Sequence, residues 1–203
     1  MALVIWGTQT LAVTGRKKEA WPSFASDIGG TFTSGSSGQP DQVIASIEEW
    51  PCYLDTYVVG TRQSLVDYTR LRAFYPVHEP FELTVCTRDA VDVNTVNRRL
   101  VDVPVPHEFH NLVISTSDPA RVWTLLEPIT RQLLTLRPLN LQIRRRRNWP
   151  GGGVSNSVYE VHFQQSGVIT SAAQLHAIYD LVSACLHQLH LMGIAGKSFS
   201  ELP

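Results

Sequence analysis

Leu139-Asn140-Leu141-Gln142-Ile143-Arg144-Arg145-Arg146-Arg147, followed after a glycine-rich stretch by Tyr159-Glu160-Val161-His162-Phe163, decides the fold. In both runs apolar residues alternate with polar ones, the two-residue period of a strand buried on one face. Trp149-Pro150-Gly151-Gly152-Gly153 lies between them, so the pair reads as a β-hairpin with a wide tip. Matching the apolar faces sets the register: Leu141 opposite Phe163, Ile143 opposite Val161, Arg144 opposite Glu160. Ser171 then caps a long helix through Leu175, Ile178, Leu181, Val182, Cys185 and Leu189, which Gly193 ends. Upstream, residues 112–116 read as a strand, and Ser117-Asp118-Pro119 opens a helix. Its stripe of Val122, Leu125, Leu126, Ile129, Leu133 and Leu136 must kink or split at Pro128, which lacks an N–H. From residue 110 onward the order is strand, helix, strand, strand, helix, most of a ferredoxin-like split βαβ. The expected class is therefore α+β, a largely antiparallel sheet with helices packed on one face.

The first half is less regular. Residues 2–6 and 10–13 read as two short strands, and residues 22–40, rich in Gly, Ser and Thr, as a long flexible loop. Val43, Ile44 and Ile47 suggest a short helix after Pro40, and residues 53–59 a strand. Leu65, Tyr68, Leu71 and Phe74 recur at helical spacing, whereas Phe81, Leu83 and Val85 alternate as in a strand. Val93, Val96 and Leu100 suggest a last short helix before Val103-Pro104-Val105-Pro106. Residues 1–203 are read as one domain, with a division into two lobes near residue 105 left open.

Composition narrows the classes. The chain has 203 residues, enough to bury a core without disulfides or metals. A net charge of −1 gives no global pull toward nucleic acid or membranes, so any anionic partner must meet a local patch. Three distant cysteines without a CxxC pair, no signal peptide, no transmembrane run and no glycosylation sequon point to a reducing, cytoplasmic setting. All but three of the 17 basic residues are arginine, the cation suited to bidentate contacts with carboxylates and phosphates.

The arginines concentrate at Arg144, Arg145, Arg146 and Arg147, next to Trp149. Continued alternation would turn Arg145 and Arg147 toward the apolar face, where unpaired guanidinium groups are prohibitive. The hairpin is therefore expected to leave the core there as an exposed basic arm. Such an arm suits phosphates and bases, an acidic protein groove or an anionic membrane surface. A solvated strand end partly neutralised by Glu160 explains the same residues.

Two short motifs resemble known families. Asp27-Ile28-Gly29-Gly30-Thr31-Phe32-Thr33 resembles, over those seven residues, the first phosphate loop of the actin-like ATPase and hydantoinase families, which implies a backbone cradle for phosphate. Trp149-Pro150-Gly151-Gly152-Gly153 resembles the tip loop of peptide-release factors. Gly153 stands where that family carries a Gln that positions the hydrolytic water, so the resemblance implies the shape without the chemistry.

His176, Asp180 and His187 share a stripe of the last helix, a ligand set for a metal or simply a polar face toward solvent. No cofactor is required by any motif. Cys185 lies on the apolar stripe and reads as core, and Asp89 and Asp92 as caps. Trp6, Trp21, Trp50 and Trp123 are candidate anchors of a binding surface, Trp123 at the edge of its helix stripe. The expectation that follows is a non-enzymatic binding or assembly protein, such as an immunity or inhibitor protein or a viral or phage structural component. It would work through protein–protein contacts or self-assembly, its basic hairpin meeting an anionic partner. A nucleic-acid-binding domain using the same hairpin and an enzyme with a site dispersed in sequence are the alternatives.

Overall fold

A computed structural model describes residues 19–36, 40–61, 64–90, 99–146, 157–197 and 199. Trp21, Phe24, Ala25 and Ile28 recur at helical spacing, and residues 19–27 form helix α1 with the first three buried. The loop expected over residues 22–40 is thus replaced in part by α1 and by strand β1 (Thr31–Thr33). Gly29, in the left-handed region at φ 68°, ends the helix, and Gly30 N–H reaches back to the Ala25 carbonyl at 2.7 Å.

Strands β2 (Gln42–Ile47), β3 (Trp50–Thr61) and β4 (Ser64–Pro76) form an antiparallel meander. Both helices expected here are therefore strands. In β2, Val43 and Ile47 face the core on a two-residue period; in β4, Thr69, Leu71, Ala73 and Tyr75 do so. The spacing of Leu65, Tyr68, Leu71 and Phe74 arose because both faces of β4 carry large side chains.

Then come β5 (Leu83–Thr87), β6 (Val101–Asp102) and β7 (Leu112–Thr116). Pro128 splits the next helix into α2 (Val122–Leu126) and α3 (Thr130–Thr135), joined by a tighter turn. The hairpin is β8 (Asn140–Arg145) with β9 (Val158–Ser166), in the expected register. Helix α4 (Ala172–Leu191) follows, with Ser171 accepting from the Gln174 N–H and Gly193 in the left-handed region just past its end.

Among the described residues the nine strands form one sheet in the order β1-β2-β3-β4-β9-β8-β5-β7-β6. Every strand pair in it is antiparallel. Because β5 pairs antiparallel with both β7 and β8, those two run parallel with β5 between them, the split βαβ arrangement. The fold is α+β. Helix α4 lays Leu175, Ile178, Leu181, Val182, Cys185, Leu186 and Leu189 over the inner face, with the other helices beside it. Trp21 and Trp50 are core residues rather than surface anchors, their indole N–H groups bonded to the Ile169 and Gly196 carbonyls at 2.9 and 2.8 Å. Wide rings bring the most apolar area to a core, and each indole found a buried acceptor.

Candidate functional site

Side chains on the outer face of the sheet follow from the same alternation. With Leu141, Ile143, Val161 and Phe163 inward, Asn140, Gln142 and Arg144 of β8 and Glu160, His162 and Gln164 of β9 turn outward. Beside them β4 contributes Arg70, Arg72 and Phe74, and β3 contributes Tyr53, Asp55 and Tyr57. These polar groups are nevertheless buried: Glu160 and His162 are each only 1% exposed, although α4 lies on the other face. They bury one another.

Glu160 is the hub. Its Oε1 accepts from Arg144 Nε at 2.7 Å, and its Oε2 lies 3.6 Å from Arg146 Nη1. Arg144 also donates to Gln142 Oε1 and His162 Nδ1, both at 3.0 Å. Since His162 Nδ1 accepts, its Nε2 carries the hydrogen and donates to Gln164 Oε1 at 3.1 Å. Burial, aided by the Arg144 charge, pushes the His162 imidazole below its usual range, so it is neutral. Burial alone would raise the Glu160 carboxyl, but the Arg144 guanidinium bonded to it outweighs burial and holds it below the usual carboxylate range. A second hub is Asp55, which takes both Arg70, through Nε and through Nη2 at 3.0 Å, and Arg72 at 2.7 Å. The Arg70 guanidinium also lies 4.6 Å over the Tyr57 ring, which stacks on Tyr68 at 5.5 Å. Four guanidinium groups thus face two carboxylates, leaving the patch cationic.

Two adjoining clefts of about 310 Å³ each open on this face, sharing Tyr68 and Gln164. The one over the center of the sheet has Arg70 on one side, Arg144 and Gln142 on the other, and His162 and Gln164 as its floor. The second continues along Asn140, Gln165 and Ser166 to Asp89.

The expected basic arm is corrected in part. β8 stays paired with β9 through Arg145, so alternation places Arg144 and Arg146 on the polar face, held at Glu160, and only Arg145 is exposed on the opposite side. Arg147, Trp149 and the glycine tip lie outside the described residues, as do Trp6 and Asp92. Trp123 is half-buried against Phe109 at 5.6 Å. The metal stripe does not converge: His176 meets Asp27 at 3.1 Å, His187 lies 4.0 Å from Glu48, and Asp180 is exposed. The glycines of the phosphate-loop resemblance follow a helix instead of a strand and close its turn onto β2. A Cβ at Gly30 would sit 2.8 Å from the Ile44 carbonyl oxygen. Cys52, Cys86 and Cys185 are buried free thiols, with burial pushing Cys52 and Cys185 up to about 12. Sequence reasoning missed Asp55, Arg70, Arg72, Tyr57 and Tyr68. Reading residues 64–76 with a two-residue period would have put Arg70 and Arg72 on one face of a strand, and the pairing of that strand with β9 sets them beside Gln164 and His162.

No protein-family model matches this chain, and no curated protein matches it. Among solved structures it is similar to the mycobacterial trehalose monomycolate transport factor A, TtfA, with a TM-score of 0.57 at 9% sequence identity. The match covers 90% of this chain and 98% of that one, and at this identity the likeness is one of fold. Among the described residues no helix is long and apolar enough to cross a membrane.

Proposed function

We propose that this is a binding and assembly protein whose outer sheet face receives an acidic, extended segment of a partner protein. The observation that carries the reading is the cationic patch on this face, Arg70, Arg72, Arg144 and Arg146 against Asp55 and Glu160, with Arg70 and Arg144 lining the central cleft. A rigid sheet with interlocked side chains presents those charges with little conformational freedom left to lose on binding. His162 has both ring nitrogens engaged and the cysteines are buried, which favors binding over catalysis. Buried free thiols also suit a reducing compartment, and we place the protein in the cytoplasm on that ground.

The test is anisotropy of a labelled peptide that alternates Glu with apolar residues, beside its Gln counterpart. The acidic peptide should bind with an affinity that falls as salt rises, and Arg70→Gln should weaken it about tenfold. Equal binding of both peptides contradicts the reading. The stacked Tyr57–Tyr68 pair beside Arg70 favors single-stranded nucleic acid as the second reading. Tighter binding of short RNA than of the acidic peptide would move the account there.

A further inference from the structure

In the central cleft the two arginines that line it carry more N–H donors than their neighbors accept. Arg144 carries five N–H groups and spends three, on Glu160, Gln142 and His162. One N–H on each terminal nitrogen remains, on a side chain that is 41% exposed and lines the cleft. Across from it, Arg70 commits Nε and Nη2 to Asp55, and its Nη1 has no partner among the described residues. Gln164 Oε1 already accepts from the Tyr57 hydroxyl at 2.7 Å and from His162, which leaves its amide nitrogen over as a further donor. Among the acceptors nearby, Gln164 Oε1 accepts twice, His162 Nδ1 is taken by Arg144 and Gln142 Oε1 already accepts from Arg144, while the buried Glu160 Oε2 lies 3.6 Å from Arg146 and does not line the cleft.

A group that only accepts, in several directions at once, completes such a site, and an oxyanion does so with the charge the arginines favor. We infer that the cleft between Arg70 and Arg144 is a receptor for one oxyanion, a carboxylate or a phosphate, on a body of side-chain or small-metabolite size. This rests on the outer face being the surface for an acidic partner, and names the group held there. A cleft of about 310 Å³ has room for that group and a few atoms of its carrier. Val59, on the cleft wall, is the position where an added carboxylate would compete with it.

Calorimetry of the full chain with phenyl phosphate and with N-acetylglutamate tests the inference and separates the two sources. At least one should bind with Kd of about 1 mM or tighter. Val59→Glu and Arg144→Gln should each weaken it about tenfold or more, and Arg145→Gln, exposed on the opposite side, should leave it unchanged. Val59→Glu keeps the test valid if the Arg144 change unfolds the chain. Saturation by phenyl phosphate alone assigns a phosphate, and by N-acetylglutamate alone a carboxylate. No saturation by either up to about 20 mM, or binding that Val59→Glu leaves intact, overturns the inference. If the acidic peptide still binds and neither small anion competes with it, the cleft fails as receptor while the broader reading stands.

Discussion

Replacing Glu160 with Gln removes the carboxylate that Arg144 and Arg146 share, at a position 1% exposed. Its carboxyl is held below its ordinary 4.5 in the fold, with the Arg144 guanidinium bonded to it at 2.7 Å. An unfolded chain takes up this proton near pH 4.5 and the native one only at lower pH. Between those values the unfolded state binds more protons, so stability falls as pH falls, and the full contribution is present above pH 4.5. Removing one side of a buried ion pair costs about 3 kcal/mol. Arg144 keeps 41% of its side chain in water, and screening there trims the expected loss to about 2 kcal/mol. Less of the effect should survive at pH 3. Urea unfolding followed by the fluorescence of Trp21 and Trp50, both buried, measures it. A penalty under about 0.5 kcal/mol at pH 7, or one equally large at pH 3, would refute the hub assigned to Glu160.

His162 is buried neutral, so as pH drops below 6.5 the unfolded chain gains a proton that the native one resists, and stability declines. His162→Gln should flatten that decline between pH 7 and 5.5 in the same unfolding assay, and an unchanged slope would count against it. Gly30→Ala should cost about 1–3 kcal/mol, because its Cβ would meet the Ile44 carbonyl and Ala45 Cβ at 2.8 and 2.9 Å. A thermal midpoint equal to wild type would contradict that packing. Cys52 and Cys185, raised to about 12 and enclosed, should resist a thiol reagent at pH 8 in the native state and react after urea. Prompt native labelling at either position would show that the core opens there.

How much was legible depended on whether one face or two carried large side chains. In β8 and β9 the inward set is aliphatic or aromatic and the outward set polar, so strand, partner and register could be read down to Arg144 opposite Glu160. In β4, Tyr68 and Phe74 face outward while Leu71 and Tyr75 face inward, and the doubled apolar pattern imitated a helix. Helix α1 was obscured by the Gly and Ser residues after it, although Trp21, Phe24 and Ala25 carried its period. For the site, the arginine run pointed to Arg144 and Arg146 but not to their setting. Whether an arginine at a strand end projects into water depends on its cross-strand neighbor, and Glu160 supplied a buried partner. Asp55, Arg70 and Arg72 lie far away in sequence, on β3 and β4, and only the β3–β4 and β4–β9 pairings bring them alongside.

The most direct test of the outer face as the binding surface is the NMR signal of the arginine side-chain Nε–H groups during titration with the acidic peptide. The account predicts that Arg70 and Arg144, which line the cleft, shift together and saturate at one concentration, while Arg145 on the opposite side stays still. Shifts confined to Arg145 or to residues on the helical face, with Arg70 and Arg144 unmoved, would contradict it.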